Sequence, residues 1–359
     1  MKSFPRDAAK STHTRTAVLF PGALGDFICL LPVLQSRVQE TEVDLFARSE
    51  FAGLVPSGVM VRSLERPEIR ALFVDVAADQ KPLQDFFGGY QAIFSWLGSR
   101  QPQFVRRLQL ATHGKAKIFP FRPAVEVIHQ IDYYLGCLND HPVQRREPVI
   151  TLCNEGVRWC EDFCARHALR QRPVLVLAPG SGAREKNWPE EFFIAVAEWW
   201  RVTVQGNVVL LLGPVEEERE GYERLRSRCV TASGLQLFEV AALLQASDVY
   251  LGNDSGVSHL AAAVGVRTVV LFGPSDVLQW APRGKKVTLL HRDMECSPCA
   301  IPTMKSCSHR ACLTGLFPQQ VIAVVAQLPE VVTLTREGPG IRVQPRIFSE
   351  NRARTSIQD

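Results

Sequence analysis

The chain has 359 residues, of which 46% are hydrophobic and 22% are charged, and its formal net charge is +4. This length favours two domains of comparable size, and the composition is typical of globular proteins, not of disordered or fibrous ones. So small a net charge does not indicate a nucleic-acid partner. No run reaches the roughly 18 apolar residues of a membrane span. The residues before Thr16 lack the apolar stretch of a secretory signal, so we expect a cytoplasmic protein.

Strand-like and helix-like segments alternate along the whole chain. Strands are predicted at Thr16–Phe20, Val43–Phe46, Val59–Val61, Tyr90–Phe94, Lys117–Phe119, Pro173–Leu177, Asn207–Leu212, Ala246–Leu251 and Arg267–Phe272. Helices are predicted from Asp26 to about Glu40, at Val127–Leu138, Pro189–Val202, from Glu216 to about Arg228, and at Phe238–Gln245, His259–Val264 and Pro318–Leu328. Such alternation predicts an α/β fold with parallel sheets, in which ligands bind at the carboxyl ends of the strands.

The pattern repeats in the two halves, which predicts two doubly wound, Rossmann-like domains that face a central cleft. We expect a flexible N-terminus at residues 1–15, a first domain at 16–148, a second domain at 149–330 and a tail at 331–359. The polar segment Asn139–Pro148 is the predicted linker. Basic residues near both ends favour either solvated tails or contact with an anionic membrane surface: Lys2, Arg6, Lys10, Arg15, Arg336, Arg342, Arg346, Arg352 and Arg354.

Four loops directly follow predicted strands and carry polar or small residues. In the first, Pro21–Asp26, the carboxylate of Asp26 stands at a helix start. It suits an N-cap and a general base about equally well. The second, Pro179–Pro189, is rich in glycine and contains Arg184 and Lys186, so it is suited to bind a diphosphate, although an exposed loop is the simpler interpretation. An anchored Trp188 would weaken that simpler interpretation.

The third and fourth loops complete this pattern. Glu216, just after a strand, is placed as a ribose-binding carboxylate would be, but it also opens a run of acids that suits any helix N-terminus. In the fourth loop Asp254 is suited to bind sugar hydroxyls, while the amides of Ser255 and Gly256 are suited to bind phosphate. His259 lies one helical turn further on. A buried structural histidine is the common alternative, but its position below this turn favours a phosphate ligand.

Two further groups have less certain roles. Cys296, Cys299, Cys307 and Cys312 form a cluster, for which packed thiols or a redox-labile pair are favoured and a structural zinc site is the alternative. Scattered thiols elsewhere fit a reducing compartment. A positive bias in the first half suggests either a solvated face or a docking site for an anionic acceptor: Arg100, Arg106, Arg107, Lys115 and Lys117.

Taken together, the loops resemble those of glycosyltransferase family 9, the heptosyltransferases of lipopolysaccharide core assembly. The resemblance extends from Gly22 to about Val325. Its most specific parts are Leu24-Gly25-Asp26 with Pro32, the Pro179-Gly-Ser to Lys186-x-Trp188-Pro189 loop, Asn253-Asp-Ser-Gly-x-x-His259, Leu271-Phe-Gly-Pro-Ser275 with Trp280, and the loop ending in Cys312-Leu313. It implies the GT-B fold and an inverting transfer of a sugar, typically heptose from ADP-heptose, to a lipid-linked saccharide at the inner face of a bacterial membrane.

By matching position, the resemblance implies a role for each loop. Asp26 would be the base on the acceptor hydroxyl, and Lys186 would neutralise the leaving diphosphate. The donor-binding residues would be Ser181, Gly182, Glu216, Asp254, Ser255, Gly256 and His259. No cofactor is expected to be required, since the nucleotide sugar is a substrate.

Two other functions are consistent with the same residues. One is a sugar-nucleotide-binding protein without catalytic activity, which the presence of Asp26, Lys186 and Asp254 disfavours. The other is a nicotinamide-dependent dehydrogenase on a related fold. The chain lacks the Gly-x-Gly-x-x-Gly pattern that binds a dinucleotide, which argues against that enzyme class.

Overall fold

The strands of this chain form two parallel sheets. The computed structural model describes residues 15–74, 79–123, 127–138, 146–218, 221–329 and 331–332. The first sheet contains β1 (Arg15–Leu19), β2 (Glu42–Ala47), β3 (Val59–Ser63), β4 (Ala92–Ser95) and β5 (Ala116–Ile118), in the order β3-β2-β1-β4-β5. The second contains β6 (Val174–Ala178), β7 (Asn207–Leu211), β8 (Val230–Ala232), β9 (Val249–Asn253), β10 (Arg267–Phe272) and β11 (Val287–His291), in the order β11-β10-β9-β6-β7-β8.

Helices connect the strands and cover the sheets. In the first half they are α1 (Leu24–Arg37), α2 (Pro67–Ala71), α3 (Lys81–Phe87), α4 (Pro102–Ala111) and α5 (Gln130–Gly136). The second half continues with α6 (Asn154–Arg166), α7 (Glu190–Trp199), α8 (Pro214–Glu218), α9 (Glu223–Arg226), α10 (Leu237–Gln245), α11 (Gly256–Val264), α12 (Val277–Trp280), α13 (Ile301–Ser306), α14 (Ala311–Thr314) and α15 (Pro318–Ala326). A π-helical turn, Trp200–Val204, extends α7. None of the described helices is long and apolar enough to cross a bilayer.

The predicted α/β fold class is confirmed: two parallel sheets form two Rossmann-like halves. Each predicted strand is present, whereas β8 and β11 were not predicted. The domain limits stay predictions. The expected N-terminal stretch up to residue 14, most of the linker (139–145) and nearly all of the tail, with the basic residues there, lie outside the described residues.

Two predicted helices are wrong in extent. The single charged helix from Glu216 to Arg228 is divided into α8 and α9, because Tyr222 takes a left-handed conformation, with φ of 67°, that a helix cannot continue through. The helix expected to begin at Val127 begins at Gln130. His129 there has extended backbone, and its side chain accepts a hydrogen bond from the backbone N–H of Ile131, so it caps the helix.

A single hydrophobic core joins the two halves. Its buried residues come from α1 and β1 in the first half and from α10 and α11 in the second. Two further clusters fill the outer faces of the two sheets. Because parallel sheets are covered on both faces, their strands are almost fully apolar, as in Val174–Ala178, where every residue is buried.

Helices α1 and α11 pack against each other across the halves, and their N-termini meet. A Cβ atom on Gly256 would lie 2.9 Å from both the backbone nitrogen of Gly25 and the Cβ of Leu24. That is closer than such atoms can approach, so this contact requires glycine at 256. Both helix N-termini are therefore brought together at the carboxyl ends of the two sheets.

Truncation of Leu251 tests how strongly the second sheet depends on its central strand. Leu251 lies on β9, between β6 and β10, and is fully buried. We expect Leu251→Ala to lower the free energy of unfolding by about 2–5 kcal/mol, because it leaves a cavity in a packed core. Urea unfolding followed by tryptophan fluorescence measures this. Leu278→Ala is the control, because Leu278 is 74% exposed; equal midpoints for the two variants would contradict the expectation.

Candidate functional site

The four predicted loops line a single cavity of about 230 Å³ between the two halves. The first half contributes Ala23–Gly25 at the start of α1. The loops after β6, β7 and β9 contribute Gly180–Gly182, Gly213–Glu216 and Ser255–Val257. Five of the predicted donor-binding residues therefore lie around one space: Ser181, Gly182, Glu216, Ser255 and Gly256. The N-terminal amides of α11 and its macrodipole favour an anion there.

Asp26 lies in the first turn of α1, and its carboxylate contacts two groups. It is the third residue of α1, not its N-cap, and its Oδ2 lies 3.3 Å from the N–H of Ala23, the residue that precedes the helix. The N-cap interpretation of Asp26 is therefore wrong: the cap residue is Ala23, and Asp26, three residues later, reaches back to it as the acidic half of a capping box. Its Oδ1 lies 2.8 Å from Nη2 of Arg122. The role of Asp26 as a base stays a prediction.

Arg122 was not predicted as a site residue. It follows β5, and its guanidinium stacks on the rings of Phe121 and Trp280, with distances of 4.2 and 4.6 Å to the ring centroids. No local motif identifies it, because Trp280 is far away in the chain. The alternation of strands does predict that a residue just after β5 reaches the same edge of the sheet as Asp26.

Lys186 and Asp254, predicted to bind different parts of the donor, form an ion pair. Lys186 Nζ lies 2.7 Å from Asp254 Oδ2, and the side chains are 29% and 8% exposed. Each charge therefore orients the other. A diphosphate that binds beside Lys186 must compete with Asp254 for the ammonium group.

The loop that carries Lys186 is fixed from both ends. Ser181 Oγ lies 2.7 Å from the carbonyl oxygen of Ala183, which makes a tight turn, and 2.6 Å from Oδ1 of Asn187. The N–H of Trp188 donates to Oδ1 of Asn253 at 3.0 Å, and the Trp188 indole, which is buried, donates to a backbone carbonyl of the α14–α15 turn at 2.8 Å. The structure thus anchors Trp188, and the loop is not a freely exposed one.

Glu216 has a packing role as well as a place in the cavity. Its Oε2 accepts a hydrogen bond from the N–H of Gly213 at 3.1 Å. A Cβ on Gly180 would overlap the Glu216 carboxylate, so glycine at 180 makes room for it. The other side of Glu216 faces a larger cavity of about 450 Å³, which is lined by Arg184, Tyr222 and Arg310 among others. That larger cavity is lined by residues of the second half alone, and the α1 loop does not reach it.

His259 lies beneath the cavity and does not line it. It is 4% exposed, its Nδ1 lies 3.8 Å from Cys29 Sγ, and its ring is hydrogen-bonded to the backbone of Trp280. Burial lowers the pKa of His259 from 6.5 to about 4, so the ring is neutral near pH 7. The structure therefore brings His259 to the contact between the halves, and its predicted role toward phosphate stays a prediction.

The cysteine segment supports the Lys186 loop. Cys307 Sγ accepts a hydrogen bond from the N–H of Arg310 at 3.4 Å, and the Arg310 guanidinium donates to the carbonyl oxygen of Arg184 at 3.1 Å. All the cysteines are free thiols, Cys296, Cys299 and Cys312 included. Among the described residues no three His, Cys, Asp or Glu side chains are placed to hold a metal ion. The zinc alternative gains no support from this geometry and stays a prediction.

Four of the five basic residues predicted as a docking face in the first half lie on the surface. Arg100, Arg106, Lys115 and Lys117 are exposed. Arg107 is 1% exposed, on the inner face of α4. The helical period of α4 turns Arg107 inward. The prediction that it belongs to a docking face is therefore wrong.

Comparison with known proteins identifies the family. The family model of "Glycosyltransferase family 9 (heptosyltransferase)" matches residues 101–307, which is more than half of the chain. The chain belongs to glycosyltransferase family 9. The predicted resemblance is therefore confirmed, and the loops at Lys186 and Asp254 both lie within the matched residues.

Individual family members show how far the similarity extends. Lipooligosaccharide heptosyltransferase 2 of Campylobacter jejuni is 29% identical over 163 residues, which are 42% of this chain and 49% of that protein. The alignment thus covers about half the length of this relative. The fold of a family 9 glycosyl transferase from Veillonella parvula matches with a TM-score of 0.71 at 19% identity, over 91% of this chain and 98% of the other. The E. coli ADP-heptose lps heptosyltransferase II matches with 0.64 at 19% identity, over 90% and 99%.

Because His259 is buried and neutral, we expect the stability of the fold to fall in acid. Its folded-state pKa of about 4 lies below its ordinary 6.5, so the unfolded chain binds the proton first, and stability present above pH 6.5 is lost as the pH falls toward 4. Between pH 7.5 and 5 we expect His259 to account for a loss of about 2 kcal/mol of unfolding free energy.

Urea unfolding at the two pH values measures this loss. The variant His259→Asn should be less stable at pH 7.5 but should lose less on acidification, because it has no imidazole to protonate. His113→Asn is the control, since His113 is exposed and Asn tolerates its positive φ of 49°. If His259→Asn were as acid-sensitive as the wild type, the account of His259 would be wrong.

Proposed function

We propose that this chain is an inverting glycosyltransferase that moves heptose from ADP-heptose to an anionic, lipid-linked saccharide of the lipopolysaccharide core. The observation that carries the proposal is the meeting of loops from both halves around one cavity, beside the Asp26 carboxylate of the first half and the Lys186 ammonium of the second. Membership of family 9 and the names of its relatives support heptose and ADP-heptose as the sugar and the donor.

The proposed reaction is a single displacement at the anomeric carbon of the donor. The acceptor hydroxyl oxygen forms the new bond on one face of the sugar ring. The bond from carbon to the diphosphate oxygen breaks on the other face, and its electron pair leaves with ADP. Asp26 takes the proton of the acceptor hydroxyl, which makes the attacking oxygen a better nucleophile.

The second half would stabilise the departing diphosphate. Ser181 and Gly182 line its loop, and the amides of Ser255 and Gly256 begin α11, where partial positive charge favours phosphate. When Lys186 turns from Asp254 toward the diphosphate, it neutralises developing charge and frees the Asp254 carboxylate to accept hydrogen bonds from the sugar hydroxyls. Glu216 would bind the ribose hydroxyls. His259, buried and neutral beneath α11, would act on the phosphates through the position of that helix.

The acceptor would approach along the first half. Exposed Arg106, Lys115 and Lys117 give that half positive charge, which attracts an anionic saccharide and an anionic membrane surface. We therefore place the protein in the cytoplasm, in peripheral contact with the inner face of the membrane. The proposed reaction requires no cofactor, because the nucleotide sugar is a substrate, and it involves no nucleic acid.

Exchange of Asp26 for asparagine separates transfer from donor binding. The amide of Asp26→Asn retains the shape of the carboxylate but cannot accept the proton, so kcat for heptosyl transfer should fall by about 100- to 10,000-fold. The Kd for ADP-heptose, measured by isothermal titration, should change little, because Asp26 faces the acceptor. Asp85→Asn is the control, since Asp85 is exposed on α3 and pairs only with Lys81 among the described ion pairs.

The outcomes distinguish the proposed enzyme from a binding protein. Tight binding of ADP-heptose by the wild type, without turnover on any truncated core acceptor, would favour a non-catalytic sugar-nucleotide-binding protein. Full transfer by Asp26→Asn would remove Asp26 as the base and leave the donor assignment intact.

A further inference from the structure

Arg122 joins the carboxylate of Asp26 to the second half of the protein. Its Nη2 is 2.8 Å from Asp26 Oδ1, and its Nη1 is 3.3 Å from the hydroxyl of Tyr134. The flat guanidinium lies against Phe121 of its own half and against Trp280 of the other half. A planar cation between two rings has one favoured orientation, so the contact fixes the direction in which Arg122 meets Asp26.

Contacts within the second half and across to the first half hold the Trp280 segment in place. His259, buried on α11, is hydrogen-bonded to the Trp280 backbone. Next in the chain, the carbonyl oxygen of Ala281 lies 2.8 Å from Nε2 of His129 in the first half. Arg283 makes a bidentate ion pair with Asp132 of α5, in which each guanidinium nitrogen lies 2.5 Å from a carboxylate oxygen. The ring of Trp280 therefore reaches Arg122 only while the two halves are in contact.

The ion pair of Arg122 with Asp26 contributes little to the stability of the fold. Arg122 is 37% exposed, and ion pairs so open to solvent contribute about 0–1 kcal/mol. What the pair does determine is geometry. Oδ1 is buried beside the Arg122 cation, so Oδ2, which accepts a hydrogen bond from the Ala23 N–H at 3.3 Å, is the more open oxygen and the one left to take a proton.

We propose that Arg122 is the positioning residue of Asp26, and that Trp280 makes this positioning depend on contact between the two halves. The inference rests on the proposed function, in which Asp26 is the base. Arg122 takes no proton and touches no reacting atom. It turns Oδ2 toward the acceptor hydroxyl when the halves close on the donor, and it releases the carboxylate when they separate.

Removal of the guanidinium tests the inference through kcat. In Arg122→Ala the carboxylate loses its orientation, and a misplacement of about 1 Å costs about 100-fold in rate, so kcat should fall by about that factor. The Kd for ADP-heptose and the KM for the acceptor should change little. Guanidinium chloride at low millimolar concentration, far below denaturing levels, should restore part of the lost kcat, because the free ion can occupy the space between Phe121 and Trp280.

Arg166→Ala is the matched control. It removes an exposed arginine that lies over another aromatic ring, that of Phe163 at 5.9 Å, and leaves Asp26 paired to Arg122, so it should retain its kcat and gain nothing from guanidinium. Trp280→Ala should lower kcat, and the double variant with Arg122→Ala should be no slower than Arg122→Ala alone, since both changes remove one arrangement. Multiplying effects in the double variant would contradict the link between Trp280 and Arg122.

The kinetics of Arg122→Ala also distinguish positioning of Asp26 from binding of the acceptor. A rise in acceptor KM with unchanged kcat in Arg122→Ala would make Arg122 an acceptor-binding residue and overturn the positioning role. So would full activity of Arg122→Ala while Asp26→Asn is inactive, and the proposed function would then still stand. Absence of transfer by the wild type would instead overturn the proposed function.

Discussion

The packing of α1 against α11 is the contact on which the rest of the site depends. Each helix follows a strand of a different sheet, and each begins at the edge where the site loops emerge. Gly256 allows the two N-termini to touch, and the buried side chains behind them belong to one shared core. Without that close approach, Asp26 and the turn at Ser255–Gly256 would lie in separate halves with no defined distance between them.

Two ion pairs, one on each side of this contact, place a cation beside each carboxylate of the site. Asp26 is paired with Arg122 in the first half, and Asp254 with Lys186 in the second. Each carboxylate has a cation beside it, which in the proposed reaction reduces the reorganisation needed. The two pairs differ in what a donor does to them. In the proposed reaction a diphosphate competes directly for Lys186, whereas Arg122, which lies against two rings, stays paired with Asp26 while the halves are in contact.

The sequence predicts the loops of the site better than it predicts their partners. Parallel strands place their carboxyl ends at one edge, so the glycine-rich turns at 22, 180, 213 and 256 could be assigned to one cleft without a structure. The pairing of Lys186 with Asp254, the stacking of Trp280 on Arg122 and the burial of His259 depend on side-chain packing across the halves. Spacing along the chain contains no information about such contacts. The division of the helix after Glu216 was missed for a related reason, since its left-handed Tyr222 is a tyrosine and not a glycine.

A crystal structure with an unreactive ADP-heptose analogue, fluorinated next to the anomeric carbon, tests the central claim most directly. That claim is that the donor lies between the start of α11 and the Lys186 loop, with its sugar facing Asp26. The account predicts the diphosphate within hydrogen-bond distance of the Ser255 and Gly256 amides, Lys186 Nζ moved from Asp254 to a phosphate oxygen, and Arg122 still on Asp26. A nucleotide bound instead in the larger cavity beside Arg184 and Arg310, away from α1, would contradict it.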